Sequence, residues 1–169
     1  VGALDEWNYC PRCGEAIEKA DDRAECPACG YVGYANAVPG AEAVCFDERG
    51  RVLLGRRAFD PGAGLWDLPG GFLHENEHPL DGLRREVREE TLLEIEPRDF
   101  LGFWLEPYDG RIVLCLAWTA RAAGDCRAGD DLTELRWFEP DDLPRHSELA
   151  FSHYPEVLSA AVTRWHEHA

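Results

Sequence analysis

Two Cys-x-x-Cys pairs, Cys10/Cys13 and Cys26/Cys29, lie 16 residues apart near the start of the sequence, and each is followed directly by a glycine, Gly14 or Gly30. A Cys-x-x-Cys turn lets two thiolates and nearby backbone amides converge on one ion, and the glycines admit the tight turn. Two such turns complete a tetrahedral Zn²⁺ shell. The competing readings are two disulfides or a redox Cys-x-x-Cys. Cys45, Cys115 and Cys126 bring the total to an odd seven, which an oxidising compartment tolerates poorly. Structural zinc on Cys10, Cys13, Cys26 and Cys29 is therefore expected, while Cys45 and Cys115, set in apolar strand-like runs, read as small core residues. Residues 1–36 carry seven acids (Asp5, Glu6, Glu15, Glu18, Asp21, Asp22, Glu25) against three bases (Arg12, Lys19, Arg23), the wrong sign for a phosphate reader.

The whole chain repeats that imbalance. Its 169 residues hold 33 Asp plus Glu against 17 Lys plus Arg, a formal charge of −16. Such a surface repels nucleic acid and anionic lipid and attracts divalent cations. With 45% hydrophobic residues the chain can bury the core of one ordinary domain plus a small appendage. The longest apolar run, Ile112 to Trp118, is far short of the roughly 18 to 20 residues that cross a bilayer, so no membrane partner is expected. Asp5 and Glu6 stand early, with no basic segment leading into an apolar one; this does not read as a secretory signal, and a cytoplasmic address is expected.

The aromatic, Gly- and Pro-punctuated stretch Tyr31 to Gly40 reads as a connector, dividing a zinc ribbon over residues 1–36 from a second domain over 37–169. In that domain Ala41–Phe46 and Val52–Arg56 are apolar runs joined by Asp47-Glu48-Arg49-Gly50, a hairpin signal. Pro79–Thr91 has helical periodicity, with Leu80, Leu83 and Val87 on one face and Pro79 suited to a first turn. Phe100–Leu105 and Arg111–Ala120 predict strands around a Pro107-Tyr108-Asp109-Gly110 turn, Glu134–Phe138 another strand, and Tyr154–His168 a closing amphipathic helix. The fold class expected is α+β, a mixed sheet in an αβα sandwich.

On the first helix Glu86, Glu89 and Glu90 stand at i, i+3 and i+4, within an arc of roughly 100°. Like charges at that spacing cost a few tenths of a kcal/mol per pair, and Arg85, Arg88 or a hard cation could offset them. Mg²⁺ takes oxygen ligands and keeps several waters, which suits a convergent carboxylate patch. Taken alone the segment is more often a solvated, salt-bridged face. The residues before it change that reading, because Gly71-x5-Glu77-x7-Arg85-Glu86-Val87-x-Glu89-Glu90 is hard to obtain by chance.

This stretch resembles the signature box of the Nudix hydrolases, Gly-x5-Glu-x7-Arg-Glu-U-x-Glu-Glu-x-Gly-U with U a bulky aliphatic, from Gly71 to Leu93. One position departs: Leu92 replaces the second glycine, at about 1 kcal/mol if a left-handed conformation is kept there. Gly64 to Gly71 is similar to the family's lead-in, and Glu134 to Phe138 with Asp142-Leu143-Pro144 to its late strands. Knuckles joined to box resemble the zinc-ribbon Nudix enzymes, which include NADH, FAD and ADP-ribose pyrophosphatases. Nothing between Glu96 and Gly124 matches the Ser-Gln-Pro-Trp-Trp-like element of NADH pyrophosphatases, whereas Tyr34-Ala35-Asn36 and Leu149 to Ser152 are more similar to the FAD and ADP-ribose branch.

The resemblance implies a Nudix αβα sandwich and metal-dependent hydrolysis of the pyrophosphate linkage in a nucleoside diphosphate linked to another group, as in FAD, ADP-ribose or an NADH-like dinucleotide, releasing a nucleoside monophosphate. It implies Mg²⁺ or Mn²⁺ held by Glu86, Glu89 and Glu90 with the Gly71 carbonyl, Glu77 supporting them from the loop and Arg85 orienting a carboxylate. The general base is either a helix glutamate or a later acid, for which Asp131 and Glu134 are candidates; both are equally readable as solvated strand-edge acids. Arg56 and Arg57 could meet the pyrophosphate bidentately or pair with surface acids. Trp66, Phe103, Trp104 and Tyr108 are stacking platforms or core residues. His153 shows no converging ligand spacing. The partner expected is a small-molecule nucleotide, with no nucleic acid and no membrane, and homodimers are frequent in the family. Two other readings are a non-catalytic nucleotide-sensing or protein-docking module, against which the intact carboxylate set counts, and an RNA cap-removing factor, against which the ribbon's charge counts.

Overall fold

The computed structural model describes residues 4, 5, 7–129 and 131–168. The Cys26–Cys29 turn joins two strands of a small antiparallel sheet, β1 (Glu18–Lys19), β2 (Arg23–Glu25) and β3 (Val32–Tyr34), and the Cys10–Cys13 turn before it is spanned by a Tyr9–Ala16 bridge. Gly14 and Gly30 follow the knuckles at φ 79° and 69°, and their N–H groups donate to the Cys10 and Cys26 carbonyls at 2.9 Å. A left-handed residue at these points closes each turn, which glycine does without a Cβ clash.

The second sheet is built on β4 (Val38–Phe46), whose residues from Gly40 onward are all buried. Its neighbours are β5 (Val52–Arg57), β6 (Trp66–Asp67), β7 (Gly70–Phe72), β8 (Glu94–Tyr108), β9 (Arg111–Ala123) and β10 (Leu132–Phe138). The main path runs β10-β5-β4-β9-β8, with β6 paired to β5 and β7 to β4. The β4–β9 pairing is parallel and the others are antiparallel, so the sheet is mixed. Being covered on both faces, β4 reads as a nearly continuous apolar run. Ala43 and Cys45 pack on one side with Leu83 and Val87 of α1 (Pro79–Thr91). Val44 and Phe46 pack on the other with Val157, Leu158 and Ala161 of α2 (Tyr154–His168), where Phe46 stacks on Trp165 at 4.4 Å. The α+β class and the two helices agree with the sequence expectation.

The β8–β9 hairpin is longer than the apolar pattern predicts, extending back to Glu94 and forward to Ala123. β8 is an edge strand, so Pro97 and Pro107 can lie within it without removing a ladder bond on both sides. Asp109 and Gly110 turn the hairpin at φ 45° and 73°, as a two-residue primed turn requires. α1 begins on His78, whose Nδ1 accepts the Leu80 N–H at 3.3 Å, and ends on Leu92 at φ 63° and ψ 6° with its N–H on the Arg88 carbonyl. The left-handed exit is thus retained by a leucine. Among the described residues no helix is long and apolar enough to cross a membrane.

Candidate active site

β7 packs against both β4 and α1, and its two glycines permit these close approaches, Gly70 to β4 and Gly71 to a helix carboxylate. A Cβ on Gly70 would strike the Ala41 carbonyl oxygen, and one on Gly71 would lie 2.5 Å from the Glu86 carboxyl carbon. The bare backbone therefore admits Glu86 beside Gly71, while the Gly70 N–H donates to Glu90 Oε2 at 3.0 Å. Glu86, Glu90, Gly70 and Gly71 line a cleft of about 270 Å³ together with Glu42, Asp67, Glu106 and Asp131, near the lower end for small-molecule sites. Glu89 stands on the neighbouring helix position, about half exposed and outside the cleft lining.

Arg85 ties the acidic residues together. Its Nε and Nη2 donate to the two oxygens of Glu77 at 2.8 Å each, and its Nη1 donates to Glu86 at 2.6 Å and Glu89 at 3.2 Å. The fork geometry of guanidinium makes this possible, since one planar group presents donors to several acceptors at once. Glu77 also accepts the His74 N–H at 3.1 Å, and its bonds to Arg85 and His74 hold its carboxyl down at about 2. Glu77, Arg85, Glu86 and Glu89 thus form one bonded set spanning the loop and the helix.

Among the described residues Glu90 has no arginine partner, and the Gly70 N–H is its hydrogen-bond donor. Burial pushes its carboxyl up to about 9, with the negative charges of Asp67, Glu86 and Asp131 adding to the shift and the Gly70 N–H opposing it. A carboxyl group held at that cost among other acids is a fit for a hard divalent cation: the donors are oxygens, they converge on a cleft, and Arg85 is already engaged.

The arginines expected at the pyrophosphate part company. Successive strand side chains point to opposite faces, so Arg57 lines the cleft and Arg56 does not. Arg57 pairs with buried Asp67, donates to the Pro61 carbonyl at 2.6 Å and reaches the Tyr108 hydroxyl at 3.2 Å. Arg56 instead bonds Glu134 at 2.9 Å and lies 4.2 Å over the Trp66 ring. Trp66 is 4% exposed and meets Phe138 edge-on at 4.9 Å, so its ring is a core element. Trp66, Arg56 and Glu134 therefore stand together outside the cleft, whereas Arg57 and Asp131 are within it. Phe103 is exposed and Trp104 bonds Glu156 through its indole N–H at 3.0 Å; neither lines the cleft, but Tyr108 does.

Two groups went unassigned in the sequence. Asp67 sits between Arg57 and the Tyr154 hydroxyl, and burial raises its carboxyl against the pull of both. His153 is 6% exposed, with Nδ1 2.9 Å from Glu106 and Nε2 3.0 Å from Glu42. Burial alone would lower it, yet Cys115, Glu42 and Glu106 hold it up at about 10. The only sequence signal for this cluster is Glu42 itself, an acid in the middle of an apolar strand.

At the other end of the chain Cys10, Cys13, Cys26 and Cys29 bring their sulfurs within 4.8 Å of one another. Cys10 lies 3.6 Å from Cys29 and Cys13 3.5 Å from Cys26, far beyond a disulfide bond. With Zn–S bonds near 2.3 Å, the edges of a tetrahedral site are about 3.8 Å long, so the four cysteines are compatible with one zinc ion.

The NUDIX domain family model matches residues 37–159. An ADP-ribose pyrophosphatase of Methanocaldococcus jannaschii is 30% identical over 138 residues, covering 80% of this chain and 76% of its own length. An NAD-capped RNA hydrolase NudC of Stutzerimonas stutzeri is 29% identical over 147 residues, 83% of this chain and 51% of its own, so the chain spans about half the length of that relative. Among solved structures, a NUDIX hydrolase from Nitrosomonas europaea is similar with a TM-score of 0.79 at 24% identity, covering 95% of this chain and 92% of that one.

Proposed function

The chain belongs to the NUDIX domain family, and we propose that it hydrolyses the pyrophosphate linkage of a nucleoside diphosphate joined to a second group, with ADP-ribose or FAD as the preferred substrate class. The observation that carries this reading is the convergence of Glu86 and Glu90 on one cleft with Arg57 lining the same cleft. Glu86, Glu89 and Glu90 with the Gly71 carbonyl would hold Mg²⁺ or Mn²⁺. An ion bound there would neutralise phosphate oxygens and acidify a water. Arg85, itself set by Glu77, holds Glu86 and Glu89 in register for that task through charge-assisted hydrogen bonds. Arg57 offers its guanidinium to the diphosphate from the cleft wall.

In the reaction the water oxygen forms a bond to one phosphorus, the bridging P–O bond breaks, and the water proton passes to a cleft carboxylate. Asp131 is better placed for that proton than Glu134, which Arg56 already engages. The N-terminal ribbon, residues 1–36, serves as a zinc-stabilised structural element in this reading. ADP-ribose is favoured by the likeness to the M. jannaschii pyrophosphatase. NAD-capped RNA is the second reading, favoured by the likeness to NudC and opposed by the charge of −16.

The deciding experiment presents ADP-ribose, FAD, NADH and NAD-capped RNA with Mg²⁺ or Mn²⁺ and scores released monophosphate. Glu90→Gln and Glu86→Gln should each lose at least about 100-fold in kcat while remaining folded, since removing a metal ligand or its support typically costs 10- to 100-fold or more. Wild-type activity in both variants would refute the metal assignment, and turnover of capped RNA alone would replace the substrate class.

A further inference from the structure

We propose a second metal site, for a zinc-class divalent ion, formed by Glu42, Cys115 and His153 on the floor of the cleft. Sheet register builds it. In the β4–β9 ladder Gly40 faces Cys115, and in the β8–β9 ladder Glu106 faces Val113. Partnered residues share a face and alternate with period two, so Glu42, Cys115 and Glu106 project from three adjacent strands onto one side. Gly40, opposite Cys115, has no side chain of its own. His153, the residue before α2, closes the group from above.

One ligand atom each from Glu42, Cys115 and His153 lies within 4.8 Å of the other two, and all three residues are buried. In the metal-free fold His153 Nε2 is 3.0 Å and 3.2 Å from the two oxygens of Glu42, and an ion bound between them would replace the Nε2 proton. Ligand atoms around tetrahedral zinc sit about 3.3 to 3.7 Å apart, given bonds of 2.0 to 2.3 Å, so small outward shifts make room for the ion. The remaining ring nitrogen, Nδ1, lies 2.9 Å from Glu106 Oε2, which also accepts the Ser152 hydroxyl at 2.8 Å. A carboxylate fixing the outer nitrogen of a ligating imidazole is the arrangement that orients histidines on zinc. Glu42 and Cys115 both line the cleft, so the fourth position opens onto it, toward a water or an oxygen of a bound molecule. The donor sets of the two sites differ in kind: thiolate and imidazole favour zinc, and the all-oxygen set of Glu86 and Glu90 favours magnesium.

The test is metal content and binding on the full chain, read without turnover and so independent of the activity assay. Protein from zinc-supplemented growth should carry two zinc ions per chain, falling to one in Cys115→Ser and in His153→Gln, with circular dichroism showing both variants folded. Glu106→Gln should weaken the site by about 10- to 100-fold in a competition titration with a chromophoric chelator. As a second measurement, Co²⁺ added to Cys10→Ser/Cys13→Ser protein should give thiolate-to-metal absorption that falls when Cys115→Ser is added. Zinc content unchanged by Cys115→Ser and His153→Gln would overturn the proposal. So would cobalt absorption indifferent to Cys115.

Discussion

Glu90→Gln should stabilise the magnesium-free protein while abolishing its activity, and the gain should grow with pH. An ordinary glutamate near 4.5 in the unfolded chain is held at about 9 in the fold. The folded state then keeps a proton that the unfolded state releases, so stability falls as pH rises through the window from 4.5 to 9. Each unit in that window is worth about 1.36 kcal/mol, which sets an upper bound of about 4 kcal/mol between pH 5 and pH 8. Glutamine carries no titrating proton. Its carbonyl can still accept the Gly70 N–H, and its amide can donate to a neighbouring carboxylate. The assay is urea unfolding of both proteins at pH 5 and pH 8, in magnesium-free buffer without chelator. Titrations common to both proteins cancel in the difference between them. Saturating Mg²⁺ at about 100 times its Kd should then add about 2.7 kcal/mol to the wild type and much less to the variant. A difference that stays constant from pH 5 to pH 8, or a variant that is less stable at pH 8, would refute the placement of Glu90.

Three further outcomes follow from the geometry. Cys26→Ser should release the ribbon zinc and unfold the β1–β3 sheet, which direct metal analysis and limited proteolysis within residues 7–34 will detect, because closed four-cysteine sites supply folding energy outright. Arg57→Ala should destabilise the fold by about 3 kcal/mol by leaving Asp67 buried without its cation; in an Asp67→Asn background the same change should cost much less, and equal costs in a double-mutant cycle would contradict the pairing. Gly71→Ala places a methyl 2.5 Å from the Glu86 carboxyl carbon and should lower kcat by at least about 10-fold, a displacement of the order that costs such factors when reacting groups are misplaced, whereas wild-type kcat would show that Glu86 need not approach β7.

The elements with strong local signals were legible to the residue. α1 runs Pro79–Thr91 and α2 runs Tyr154–His168, as 3.6-residue periodicity and a proline at the first turn predict. Strand ends were less so, because tertiary position decides how far a strand extends. The apolar pattern predicts a strand from Phe100, yet β8 starts at Glu94 and holds Pro97, which its place at the sheet edge permits. The box from Gly71 to Glu90 was readable as a unit for a related reason: its residues lie within one loop and one helix, so their spacing in sequence is nearly their spacing in space.

The rest of the cleft depends on face and register, which a single sequence leaves open. Arg56 and Arg57 are chemically identical neighbours, and only the way β5 faces in the sheet sends one to Trp66 and Glu134 and the other to Asp67. Glu42 is separated from His153 by 111 residues and Glu106 from it by 47, so no spacing rule could join them. One local sign did exist. A glutamate inside Ala41-Glu42-Ala43-Val44-Cys45-Phe46 must be buried if the strand is central, and an unpaired carboxylate there would cost several kcal/mol. Such a residue requires a partner of complementary chemistry somewhere in the chain. His153 meets that requirement: the start of α2 returns its imidazole over the strand with Nε2 3.0 Å from Glu42, while parallel pairing of β4 with β9 carries Cys115 to the same face.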